Sequence, residues 1–150
     1  MKIEAFLSQS PSFQTVITGN LIFSAVSSDL KDLNLGMFEA LTLSALFFEK
    51  DRTARPMDLK DAFGIPKANI SHIIRSLEKK KLLKRSSAAN DARGYEITLT
   101  NKGEQLCPQI ISYFDKLQRR LEKDLGEKEL DMFLAVMQDL ATLHPRKVRT

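Results

Sequence analysis

The stretch GIPKANISHIIRSLEKKKLLKR, Gly64 to Arg85, limits more than any other how this chain can fold. At 100° per residue, Ile73, Ile74 and Leu77 lie within about 60° of Ile70, so the four form one helical stripe. Ala68, His72, Arg75 and Lys79 fall within about 40° of the opposite direction, with Asn69 and Ser71 on the two flanks. Such a helix buries its aliphatic side and leaves a polar one outside. Beyond it the period changes to two, because Tyr95, Ile97 and Leu99 alternate with Glu96 and Thr98. With Leu83 to Ser86 as a first short strand and SAANDARG as a turn-rich connection, this predicts a β-hairpin.

Helical patterns surround this centre. Ser10 and Pro11 read as cap and first residue of a long helix from Gln9 to Leu35, with Phe13, Ile17 and Leu21 every four residues. Phe23, Val26, Leu30 and Leu33 widen its apolar surface, which predicts packing against more than its own subunit's core. After Gly36, Met37 to Glu49 predicts a helix with Phe38, Leu41, Ala45 and Phe48 inward. DRTARP, Asp51 to Pro56, reads as a loop. Met57 to Phe63 is a short helix with Leu59, Ala62 and Phe63 on its inner face and Gly64 as a left-handed C-cap. Pro66 opens the next helix, which runs to about Leu82. Thr100 or Asn101 caps a long helix striped by Leu106, Ile110, Phe114, Leu117, Leu121 and Leu125. Gly126 ends it, and Leu130, Phe133, Leu134, Met137, Leu140 and Ala141 mark a final helix before a basic tail that frays after Pro145. The expected fold is mainly α with a small β-hairpin wing (α+β). It is read as one domain over 1–150, with a lobe at 36–100 and longer helices at 9–35 and 101–144.

At 150 residues and 43% hydrophobic content the chain can bury one sizeable core. Cys107 is the only cysteine, so no disulfide forms within the chain, and a reducing compartment fits. No apolar run approaches the ~18 residues of a membrane span. Glu4, Gln9 and Pro11 stand where a secretory signal would carry an unbroken apolar core. The expectation is a cytoplasmic protein without membrane partners. Cys107, beside Pro108 and Ile110, reads as a buried structural thiol rather than a redox sensor. No His, Cys or carboxylate grouping has metal spacing, and no Ser-His-Asp set, phosphate loop or carboxylate pair is recognisable. Neither an enzyme nor a bound cofactor or metal is expected.

Charge is unevenly placed. The net charge is +4, yet Arg55 to Arg85 holds nine bases against Asp58, Asp61 and Glu78. That window is therefore +6 and the remainder about −2. A basic middle between near-neutral flanks suggests a polyanion partner.

The outer face of the Pro66–Leu82 helix has the chemistry to meet a duplex. Lys67 lies in the first turn, where free N–H groups also favour an anion. Asn69, Ser71, His72 and Arg75 can reach base edges or phosphates, and Ala68 lets the backbone approach closely. Lys79, Lys80 and Lys81 read as a solvated helix end or as contacts to phosphate. A short helix, a glycine turn and then this helix is the helix-turn-helix order, in which the second helix enters the major groove. Arg93, beside Asp91 near the hairpin tip, can reach an adjacent minor groove.

From Leu41 to Leu106 the chain resembles the MarR family of winged helix-turn-helix transcriptional regulators. The residues that carry the likeness are LKDAFGIPKANISHIIRSLEKKKLLKR and DARGYEITLTNKGEQL, the second matching the family's wing pattern of Asp-x-Arg followed by Leu-Thr and a glycine. The resemblance implies a homodimer that presents two recognition helices to successive major grooves of a pseudo-palindromic double-stranded DNA site. It implies that Lys67, Ala68, Asn69, Ser71, His72 and Arg75 face DNA, that Arg93 enters the minor groove, and that Asp91 orients the wing. It further implies dimerisation through the first and last long helices and release by a small aromatic or phenolic effector. The wing tip, Ser86 to Asn90, departs from the family by lacking extra charges. A winged-helix protein–protein module without DNA binding is the alternative, and an enzyme using Cys107 as nucleophile a third reading.

Overall fold

The computed structural model describes residues 2–87 and 94–142. In chain order these form α1 (Lys2–Ser8), α2 (Pro11–Asp29), a 3-10 turn (Leu30–Leu33), α3 (Met37–Phe48), a second 3-10 turn (Lys50–Arg52) and β1 (Thr53–Ala54). Then come α4 (Pro56–Phe63), α5 (Lys67–Lys79), β2 (Leu83–Ser87), β3 (Tyr95–Leu99), α6 (Asn101–Leu125) and α7 (Glu127–Thr142). These residues divide into two compact units: 2–20 with 113–142, and Leu21–Ser112.

The second unit holds every buried residue described, among them Leu30, Leu43, Leu46, Ile70, Ile74, Leu77, Ile97 and Ile110. Local signals account for most of its boundaries. Gly64 ends α4 at φ +62, the left-handed region that glycine enters without strain. Thr100 caps α6, its Oγ1 accepting the Gly103 N–H at 3.1 Å. Leu59 and Phe63 face inward from α4, the Phe63 ring 5.9 Å from that of Phe38. Ala62 is exposed instead, so the α4 inner face is narrower than expected.

Four further expectations differ from the structure. The helix expected over Gln9–Leu35 is α2 followed by the 3-10 turn, and Asn34 rather than Gly36 stops it, at φ +55. Asn tolerates that conformation because its short side chain bonds locally. In α3 the buried residues are Ala40, Thr42, Leu43 and Leu46, whereas Phe48 is 72% exposed. MFEALTLSALFF is apolar on every side, so its wheel does not single out the packed face. The expected loop at 51–56 contains strand β1, paired antiparallel to β3 through Thr53 with Thr98 and Ala54 with Ile97. The hairpin is thus part of a three-stranded sheet ordered β1-β3-β2. In its other half Leu83 pairs with Leu99 and Arg85 with Ile97. Pro66 is the N-cap of α5, one position earlier than read, and the helix stops at Lys79 rather than near Leu82.

None of the first unit's described residues is buried, although Phe6, Phe13, Val16, Met132, Phe133 and Val136 are large and apolar. Phe6 and Phe13 pack together at 5.6 Å, and the Gln14 amide donates to the Leu7 carbonyl at 3.0 Å, joining α1 to α2. Gly126, at φ +83, separates α6 from α7 as its position predicted. No described helix is long and apolar enough to cross a membrane.

Candidate nucleic-acid interface

Helix α5 is sided as its sequence predicts. Ile70, Ile74 and Leu77 are buried and Ile73 is half-buried, packed within the second unit. Lys67, Ala68, Asn69, His72, Arg75 and Lys79 are exposed together on the other side. Ser71 is half-buried: its hydroxyl donates back to the Lys67 carbonyl at 3.0 Å. It also borders a crevice of about 50 Å³ lined by Met57, Ile70 and Tyr95. Of the expected contact residues, six therefore share one helix, five of them fully on the open face. Asp91 and Arg93 lie outside the described residues, as does the tail after Pro145.

Pro66 caps α5 without a side-chain hydrogen bond, so its first-turn N–H groups are not taken by a capping side chain. Positive potential at that end favours a phosphate, and Lys67 adds a full charge to it. The opposite end is closed on itself. The Leu82 N–H donates to the Leu77 carbonyl at 3.0 Å and the Lys81 N–H to Glu78 at 2.9 Å, with Lys81 at φ +60.

The lysine triplet is not uniform. Lys79 and Lys81 are exposed, but Lys80 Nζ meets Glu39 Oε1 at 2.8 Å, Glu39 Oε2 at 2.6 Å and the Asn34 carbonyl at 2.7 Å. Its charge is directed into the protein. Burial by itself would raise the Glu39 carboxyl. Hydrogen bonds from Lys80, Ser76 and the Gly36 N–H, with the charge of Lys80, outweigh burial and hold it below the ordinary glutamate value.

Cations near the wing base are also engaged. Arg85 pairs with Glu78 at 2.8 Å and lies over the Tyr95 ring at 4.7 Å. Arg55 stands 3.8 Å from Glu96. Lys84 is exposed. Behind the sheet, Arg52 covers the Phe47 ring at 4.2 Å, donates to the Phe47 carbonyl and bonds Glu104 at 3.2 Å. These anchors hold Asp51 and Arg52 at φ +54 and +55, a region non-glycine residues rarely enter, and so fix the turn that leads into β1 and α4. Neither Arg52 nor Glu39 was singled out in the sequence; the place of Glu39 three residues after Gly36 is a signal that could have found it, since its carboxylate accepts the Gly36 N–H.

Cys107 is fully buried, its sulfur 3.2 Å from the Gly103 carbonyl and 3.5 Å from that of Leu43. Burial, then the nearby Glu104 charge, pushes its thiol up to about 11, while Arg52 pulls slightly the other way. A thiolate nucleophile at neutral pH does not exist there.

Known proteins share this fold. Residues 31–94 match the MarR family model. The HTH-type transcriptional regulator BilQ of Clostridioides difficile is 27% identical over 100 residues, which span 65% of this chain and 68% of that protein. The S. aureus MepR–DNA complex superposes with a TM-score of 0.80 at 23% identity, covering 88% of this chain and 96% of that one. BpsR of Bordetella bronchiseptica, whose DNA binding is regulated by 6-hydroxynicotinic acid, superposes with a TM-score of 0.79 at 18% identity, over 91% and 96%. At these identities the superpositions speak for the winged-helix fold. With the match over residues 31–94 and the superposition on winged-helix structures, the chain is similar to the MarR family of winged helix-turn-helix transcriptional regulators.

Proposed function

We propose that the protein is a cytoplasmic repressor that binds a pseudo-palindromic operator as a homodimer and is released by a small aromatic effector. The observation that carries the reading is the sidedness of α5: aliphatic residues buried, and Lys67, Ala68, Asn69, His72 and Arg75 offered together to solvent. Arg75 and Asn69 read base edges in the major groove, while Lys67 and the N-terminal end of α5 hold a phosphate. Arg93 enters the minor groove from a wing that Asp91 orients. The lobe at 36–100 carries these contacts, and the helices within 9–35 and 101–144 carry the dimer.

The unburied apolar side chains of residues 2–20 and 113–142 support the dimer. Phe13, Val16, Met132 and Phe133 in water oppose the usual economy of a monomer surface. A second copy covers such a surface with matching residues by two-fold symmetry. Two half-sites must then be satisfied together, so a ligand that alters their spacing releases the DNA. The effector is suggested by the likeness to BpsR.

Selection of bound duplexes from a random pool across a salt series tests the proposal. The expected product is an inverted repeat with half-sites about 34–36 Å apart and a steeply negative salt slope. A pool that stays random at every salt concentration would sink it.

A further inference from the structure

Glu78 is the one carboxylate on α5, a helix whose other ionisable groups, Lys67, His72, Arg75 and Lys79, are all basic. It stands three residues after Arg75, and side chains three apart are neighbours on a helix surface, close enough to pair. The structure gives it a different partner. Glu78 Oε2 meets Arg85 Nη2 of β2 at 2.8 Å, and no hydrogen bond or ion pair among the described residues engages the Arg75 side chain. The carboxylate that could close on Arg75 is turned towards the sheet, and the donor fork of Arg75 stays open.

Arg85 is built to hold Glu78 there. Its place on β2 is fixed by pairing with the fully buried Ile97 of β3, and its guanidinium lies 4.7 Å from the centre of the Tyr95 ring. The sheet thus orients the arm before it meets the carboxylate, so the pair costs little side-chain freedom. In the free protein the pair adds little stability, because the Arg85 and Glu78 side chains are still 40% and 30% exposed. Beside a duplex the balance differs. An unpaired carboxylate on this helix would face phosphates of its own sign and the acceptor edge of a guanine. It would also compete for the donors of Arg75, which bond guanine O6 and N7 only when free.

We infer that Arg85 is a positioning residue: by holding Glu78 it leaves Arg75 open to read a guanine. The inference rests on the DNA-binding reading and deepens it by naming the base and the residue that keeps its reader available. Two other roles suit an arginine so placed, a direct grip on phosphate and a bridge that fastens β2 to α5. Each predicts a different pattern.

The test is a double-substitution cycle in the full-length protein: Arg85→Ala, Glu78→Gln and the two together. Each is titrated against a duplex selected by the wild-type protein and a scrambled duplex of equal composition, with thermal melting alongside. Net charge shifts both duplexes alike, so it cancels in the selected-to-scrambled affinity ratio. Arg85→Ala should lower that ratio about two- to threefold, the upper range of a helical ion pair. Glu78→Gln alone should keep the ratio, and adding it to Arg85→Ala should restore it. Placing 7-deazaguanine, which lacks the N7 acceptor, at the selected guanine should cost the wild type and the double variant about tenfold. Arg85→Ala should lose less to that replacement, and Arg75→Ala almost nothing. Arg85→Met, which keeps the stem against Tyr95, serves if Arg85→Ala does not fold. An Arg85→Ala ratio that is unchanged, or that Glu78→Gln does not restore, points to phosphate and overturns the inference. An equal fall in Glu78→Gln alone shows a fastening bridge and overturns it too, as does a selected half-site without guanine. Failure of the wild-type protein to select any duplex removes the DNA reading itself, and this role with it.

Discussion

Gly103 lies against the Leu82 carbonyl so closely that a Cβ at position 103 would overlap its oxygen. The same oxygen accepts the Thr100 N–H at 3.1 Å, so the first turn of α6 and the corner after α5 meet backbone to backbone. The Leu-Thr and glycine of the family-like wing pattern thereby acquire a physical meaning: Thr100 caps and bridges, and Gly103 leaves room. Gly103→Ala must push these elements apart. It should destabilise the protein by about 1–3 kcal/mol, read as a lower urea midpoint. An unchanged midpoint would mean that the junction yields freely.

Cys107 should be inert. Its thiol is pushed up to about 11, so at pH 7.5 the folded protein holds about 100-fold less thiolate than an ordinary cysteine would, before access is counted. Alkylation by iodoacetamide should be slower than in urea by at least that factor. A group whose pKa is raised on folding contributes stability that is intact below its unfolded value and lost as pH rises towards the folded one. The melting temperature should therefore fall between about pH 9 and 11, and fall less in Cys107→Ala.

Arg75 and Lys67 should fail differently. Arg75→Ala is expected to cost about 1–3 kcal/mol on the selected duplex and little on random DNA, relaxing one base position. Lys67→Ala should weaken both duplexes alike and reduce the salt slope by about one. Fluorescence anisotropy across a salt series separates the two patterns, and equal losses for Arg75→Ala would reassign it to phosphate.

In the proposed DNA-bound state, the pair of Arg85 with Glu78 holds back a cation. Glu78→Gln should free it and tighten binding to random duplex a few-fold, with a steeper salt dependence. No change would indicate that stacking on Tyr95 alone holds Arg85.

Dimerisation should respond to the first unit. Val16→Glu or Phe133→Glu places a charge on surface that the proposed partner copy covers, and sedimentation should then report a monomer. Lys79→Glu, on the exposed side of α5, should leave the dimer intact. A dimer that survives both apolar substitutions would place the interface elsewhere.

What the sequence alone determined was whatever depends on residues within a few positions of each other. The two faces of α5, the stop at Gly64, the cap at Thr100 and the break at Gly126 follow from helical period, backbone freedom and local hydrogen bonding. The open face with Lys67, Ala68, Asn69, His72 and Arg75 was legible for the same reason. Tertiary structure decided the rest. Strand β1 is two residues long and exists only because β3, more than forty residues later, offers its edge. The packed side of α3 was chosen by its neighbours, since that helix is apolar all round. Lys80 was separated from Lys79 and Lys81 by a carboxylate forty-one residues away. A lysine in a run of three has no local signal for which one turns inward, because the partner that directs it is brought near only by the fold.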